Sequence, residues 1–180
     1  MAVSSLMVPV GTPMPSFALP AVTGEVVSSD RFAGSPLLVA FLCNHCPYVK
    51  HVEAELGRVL AANPGLSVVG VCSNDAAAYP EDDAEHLAAQ SARAGWTFPY
   101  LIDETQRTGR DFSAACTPDF FLYAAGGTLA YRGAMDGSTP GNGKPVTGEF
   151  LRAAIERVLA GKAVPEPHTP SMGCSIKWRN

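Results

Sequence analysis

The stretch FLCNHCPYVKHVEAEL, residues 41–56, holds Cys43 and Cys46 with two residues between them, one of which is His45, and Pro47 directly after. Thiols at this spacing can join in a disulfide, and a thiol becomes a nucleophile once it loses its proton. At the start of a helix, unpaired backbone N–H groups and the positive end of the helix dipole favour the anion. A thiol pKa there falls from about 8.5 to roughly 3.5–7.5. Proline is favoured at the first helical position, because its missing N–H would have no partner anyway. Pro47 therefore makes Cys46 the N-cap and aims the helix at its sulfur. On this reading Cys46 attacks and Cys43 closes the disulfide. The opposite order, with Cys43 attacking, stays open, since a short motif does not assign roles. His45 lies beside both and is placed to hydrogen-bond the thiolate or, once charged, to stabilise it. The plain alternative is a pair of buried apolar residues, which cysteines often are. The strand-to-helix junction and the inserted His and Pro weigh against it.

The flanking segments read as the elements that hold this pair. SPLLVAFLC, residues 35–43, is a continuous apolar run with β-branched and aromatic members, suited to a strand buried on both faces. After it, Val49, Val52, Leu56, Val59 and Leu60 recur at helical spacing until Asn63-Pro64-Gly65 stops the helix. LSVVGVCS, residues 66–73, predicts a second buried strand; EDDAEHLAAQSARAG, residues 81–95, predicts a helix with acids in its first turn. FPYLID and QRTGRDFSAA suggest a short strand and a short helix. DFFLYAAGGTLAYRGAMD reads as a hairpin turning at AAGGT. TGEFLRAAIERVLAGK, residues 147–162, predicts a last amphipathic helix with Thr147 as its N-cap. Upstream, PSFALPAV and EVVSS form a strand pair around TGE. The order predicts an α/β domain over residues 10–162 with a mixed sheet and helices on both faces, followed by an extended surface tail over 163–180.

Composition narrows the function. Hydrophobic residues make up 47% of the 180, enough for a core without disulfide staples. The net charge of −4 is scattered and no basic block occurs, which argues against nucleic acid as a partner. No apolar run approaches the roughly 20 residues of a membrane span. The opening MAVSSLMVPVGTPMP has no Lys or Arg before its apolar stretch and makes a poor signal peptide, so a cytoplasmic location is expected. Five cysteines, an odd number, argue against a structural disulfide framework.

The other candidates read as follows. Cys72, inside VVGVCS, is expected to be a core thiol. Cys174, in MGCSIKW, either resolves an oxidised Cys46 or anchors the tail beside Trp178. His51 and His86 fall on helices and read as surface residues. Asp136 lies in GAMDGSTPGNGKP, a glycine-rich loop expected to be flexible and lacking P-loop spacing.

PSFALPAVTGEVVSSDRFAGSPLLVAFLCNHCP resembles the opening of thioredoxin-fold proteins of the peroxiredoxin and TlpA type (the AhpC/TSA redoxins). CNHCPYVK and CTPDFFLY resemble more narrowly the peroxiredoxin-like group that carries a CxxC. The resemblance implies a thioredoxin-like fold with an N-terminal β-hairpin extension and a C-terminal tail. It places Cys46 on the peroxidatic cysteine, and Cys43 where peroxiredoxins carry the threonine that binds peroxide. The arginine of that family before the DFFLY strand is absent; Thr117 and Pro118 stand near its place, so peroxide would be poorly oriented. CTPDFF resembles the loop whose proline is cis and whose preceding residue pairs its backbone with the substrate chain, here Thr117 and Pro118. An ordinary strand-initiating proline is the other reading. Cys116 would then lie near Cys46, as a third redox thiol or a buried bystander.

These readings converge on thiol–disulfide exchange through Cys46 and Cys43, with Thr117, Pro118 and His45 around the substrate. The substrate would be a protein disulfide, a small thiol or a peroxide, with a cellular thiol reductant and no cofactor. The alternatives are a thiol peroxidase, or a binding module in which Cys43, Cys46, Cys116 and a His hold zinc or an iron–sulfur centre.

Overall fold

The structure, a computed structural model, describes residues 1–179. In chain order the elements are β1 (Ala2–Ser4), β2 (Ala18–Pro20), β3 (Val26–Ser28), β4 (Leu37–Phe41), α1 (Pro47–Ala61), β5 (Ser67–Cys72), α2 (Ala84–Ala94), β6 (Tyr100–Ile102), α3 (Arg107–Asp111), β7 (Cys116–Thr117), β8 (Asp119–Tyr123), β9 (Leu129–Gly133), α4 (Glu149–Leu159) and β10 (Met172–Ser175).

The apolar run before the cysteines becomes the middle strand of a five-stranded sheet in the order β6-β5-β4-β8-β9. β4 runs parallel to β5, which runs parallel to β6, while β8 and β9 are antiparallel, so the sheet is mixed. All five residues of β4 are buried, as a two-faced strand requires. Side chains alternate across a strand. Leu38 and Ala40 pack with Val49, Val52, Leu56 and Val59 of α1 and with Leu151, Ile155 and Val158 of α4. Leu37, Val39 and Phe41 face the other way, onto Phe17, Val27, Phe112 and Phe121. Each fully buried Leu or Val contributes about 1.5–3 kcal/mol. Helices α1, α2 and α4 therefore share one face. The opposite face is covered by the β2–β3 hairpin, Phe32, Phe112 after the short α3, and Ile176 and Trp178 of the C-terminal segment.

Three expectations change. The residue at the N-cap of α4 is Gly148, with φ 65°, and not Thr147. A side chain at 148 would put its Cβ 2.7 Å from Val59 Cγ2, so glycine is required there for space as well as for its backbone. The glycine-rich loop is pinned by Asp136, which is buried and accepts hydrogen bonds from Ser138 N, Thr147 N and Gly148 N at 2.7, 2.8 and 2.7 Å. The C-terminal segment does not merely lie on the surface. Its strand β10 is the middle of a second sheet, β1-β10-β7.

Candidate functional site

β4 ends at Phe41, and α1 begins at Pro47. The loop between them carries both cysteines. Its backbone would be unpaired at this depth without partners, and a buried carboxylate supplies them. Asp82 Oδ1 accepts from Asn44 N and His45 N at 2.8 and 3.0 Å; Oδ2 accepts from Asn74 Nδ2 at 2.8 Å and meets His45 Nδ1 at 2.5 Å. Gln90 on α2 donates to Cys43 O at 3.1 Å and receives the Tyr100 hydroxyl at 3.1 Å. Arg93 donates to Asn44 Oδ1 at 3.1 Å. The loop is thus clamped from α2 and the turn before it.

Pro47 occupies the first helical position and Cys46 the N-cap, with extended backbone at φ −71°, ψ 122°. No capping bond of full geometry reaches the sulfur, yet the Val49 N–H in the first turn faces it and favours its anion. The strongest influence is the Cys43 thiol, which donates toward Cys46 Sγ; burial opposes, and the Cys174 thiol and backbone N–H act in the same sense as Cys43. Together they bring the Cys46 thiol from its ordinary value of 9.0 down to about 4. Cys43 moves the opposite way, well above the ordinary value, because it keeps its proton for Cys46, is buried, and faces the Asp82 charge. Neighbouring titratable groups pushed apart in this way divide into a thiolate and its proton-holding partner.

Thr117 spans both sulfurs. Its Oγ1 lies 3.2 Å from Cys43 Sγ, and its carbonyl accepts from Cys46 Sγ at 3.2 Å when that thiol is protonated. The second contact favours the thiol and works against the donors just named. The Thr117–Pro118 peptide is cis. Cys116 Sγ points away, donating to Pro118 O at 3.6 Å, and burial with the Asp119 carboxyl behind it holds that thiol well above its ordinary range. Cys72 is likewise raised by burial and by Asp82.

His45 is brought to the site but not to the Cys46 sulfur: its ring binds Asp82 and stacks on Tyr79, centroids 5.3 Å apart. Among the described residues, Cys43, His45 and Asp82 each offer a ligand atom within 4.8 Å of one another, whereas the set Cys43, Cys46, Cys116 and a His does not converge. The Asp82 carboxylate is already committed to four donors. His51 is half-buried and meets Ser138 Oγ at 3.2 Å, while His86 is exposed. A cleft of about 170 Å³ opens beside Pro118, lined by Tyr48, His51, Met135, Asp136 and Met172.

Sequence reasoning missed Asp82 and Gln90. Asp82 resembles a solvated acid of a helix start; Gln90, three residues after buried Leu87, was a polar residue on an apolar face and could have been noticed.

A model of the AhpC/TSA family matches residues 10–132, more than half of the chain. The chain belongs to the AhpC/TSA family. None of the curated proteins compared with it matches in sequence. Among solved structures, this AhpC/TSA protein is similar to an uncharacterized conserved protein from Geobacillus kaustophilus at 46% identity, covering 99% of this chain and 97% of that one, with a TM-score of 0.96. A hypothetical protein from Sinorhizobium meliloti 1021 is 42% identical, with 98% of both chains covered and a TM-score of 0.95. A putative thiol:disulfide interchange protein DsbE from Chlorobium tepidum shares the thioredoxin-like fold at 23% identity and a TM-score of 0.63, over 84% of this chain and 99% of that one. Family and fold support a thioredoxin-like redox function.

Proposed function

We propose that the protein is a thiol–disulfide oxidoreductase in which Cys46 is the nucleophile and Cys43 the partner that closes the disulfide. The observation that carries this reading is the division of two adjacent thiols at a helix start: Cys46 brought down to about 4, Cys43 held protonated beside it. A Cys46 thiolate attacks a substrate sulfur and expels the substrate's other sulfur as a thiolate. Cys43 gives up its proton, attacks Cys46 Sγ and releases the reduced substrate. Thr117 Oγ1 lies 3.2 Å from Cys43 Sγ and lowers its pKa, which assists the second attack. A thiolate as stable as Cys46 is also a good leaving group, so the resulting disulfide would be readily reduced and oxidising. A cellular thiol would restore the dithiol.

Reduction of insulin disulfides tests this directly. Wild type should turn over, and Cys46→Ser should fall to the rate of the reductant alone; equal rates in the two would overturn the assignment. Membership of the AhpC/TSA family supports a second reading, reduction of a peroxide by Cys46 with Cys43 condensing on the sulfenic acid. Against it, Cys43 stands in the place of the peroxide-binding threonine. Stopped-flow oxidation by hydrogen peroxide separates the two readings: a rate no faster than a free thiol leaves exchange alone.

A further inference from the structure

Three sulfurs meet at Cys46. The third arrives on β10, whose register sets Cys174 opposite Thr117 and Ser175 opposite Cys116. In that position Cys174 packs against the cluster that holds Cys46, whose sulfur lies 3.2 Å from Thr117 O, and the Cys174 thiol and backbone N–H favour the Cys46 anion. Gly173 fixes the approach, since a Cβ there would lie 2.0 Å from Thr117 O; the strand sits directly on that carbonyl. β10 is not a loose flap. β1 pairs with its other edge, Ser171 donates to Gly133 O, Ile176 N to Ala115 O, and Lys177 N to Asn74 Oδ1.

The consequence is one of access. Cys43 and Cys46 are 0% exposed, whereas Cys174 is partly open to solvent. With β10 in place an external sulfur meets Cys174 first, and direct attack by Cys46 on a substrate disulfide requires β10 to draw aside. Resting on the reading of Cys43 and Cys46 as a redox pair, we infer that Cys174 is the outer thiol of a three-sulfur relay, through which the Cys43–Cys46 disulfide oxidises an external dithiol.

The relay balances in three exchanges. Cys174 loses its proton and attacks Cys46 Sγ; the Cys43–Cys46 bond breaks, and Cys43 leaves as a thiolate and takes a proton. A thiolate of the external dithiol attacks Cys174 Sγ of the new Cys46–Cys174 bond, and Cys46 leaves as the thiolate its surroundings stabilise. The dithiol's second sulfur then attacks the first, the mixed bond to Cys174 breaks, and Cys174 recovers a proton. Two electrons pass from the dithiol to the protein, and the dithiol becomes a disulfide. In the reduced protein the Cys174 thiol is raised to about 11 by burial and by Cys46 beside it. Once Cys46 is joined to Cys43 it carries no charge to oppose the Cys174 anion, which eases the deprotonation that the first exchange requires.

The test joins disulfide mapping to turnover of a dithiol peptide. Mild diamide oxidation of Cys43→Ser should yield a Cys46–Cys174 bond by peptide mapping. Cys174→Ser should still form Cys43–Cys46, yet oxidise the peptide about tenfold or more slowly. Wild-type turnover in Cys174→Ser, with its Cys43–Cys46 bond present, would overturn the relay and leave the proposed function standing. So would absence of the Cys46–Cys174 bond in a Cys43→Ser protein whose circular dichroism is native. Absence of any Cys43–Cys46 bond in wild type would instead overturn the proposed function, and the relay with it.

Discussion

Replacing Gly173 with alanine tests whether β10 is what closes the site. The added Cβ would stand 2.0 Å from Thr117 O and 2.6 Å from Thr117 C, where ordinary contact begins at 3.4 Å. These are backbone atoms next to the cysteine loop and cannot rotate away, so β10 must retreat. The β7–β10 ladder, with pairs Cys174↔Thr117 and Ser175↔Cys116, would be broken, together with the bond from Ile176 N to Ala115 O. At about 0.5–1.5 kcal/mol for each lost hydrogen bond, the cost is about 2–3 kcal/mol, or roughly 4–12 °C in melting temperature for a domain of this size. Cys174 would move off Cys46, and Cys46 would become accessible. Thermal melting and maleimide labelling mapped to Cys46 give the two readouts, with Gly126→Ala, where a Cβ meets nothing within 4 Å, as control. An unchanged melting temperature with Cys46 still protected in Gly173→Ala would refute the packing argument.

Other consequences follow from the same geometry. Cys43→Ala removes the main donor to Cys46 and should move the Cys46 pKa up from about 4 toward the ordinary thiol range, read as the midpoint of thiolate absorbance. Because the folded-state pKa of Cys46 lies below its unfolded value, the anion's stabilisation is complete above the unfolded value and is lost as pH falls toward 4. The stability difference between reduced wild type and Cys46→Ser should therefore grow by about 1.4 kcal/mol per pH unit across that window, measured by urea unfolding. Asp82→Ala leaves two backbone N–H groups, the Asn74 amide and the His45 ring without their buried acceptor. It should destabilise the protein by about 3–5 kcal/mol in the same assay; a change within 0.5 kcal/mol, about that of an ordinary surface substitution, would deny the clamp.

What the sequence revealed was local. Pro47 after Cys46 marked the helix start, and the run from Leu37 to Phe41 marked the buried strand, because each rests on backbone chemistry within a few residues. The Thr117-Pro118 loop was legible through its resemblance to known redoxins. What stayed hidden depends on distant partners. Asp82 reads as a solvated acid until the loop 38 residues earlier folds onto it. Cys174 had two readings because nothing near it says that its strand will pair with Thr117, far back in the chain. Thr147 looked like a cap because capping preferences are local, whereas contact with Val59 and bonds to Asp136 selected Gly148. His45 looked aimed at the thiolate for the same reason, and the carboxylate that turns it away was not recognisable as buried.

Ultraviolet titration of the reduced protein tests the central claim most directly. The difference in thiolate absorbance near 240 nm between wild type and Cys46→Ser should rise with a midpoint near pH 4, the value to which Cys43, Cys174 and the helix start bring this sulfur. A difference that emerges only above about pH 8, as for an unperturbed thiol, would contradict the account of Cys46 as the resident thiolate.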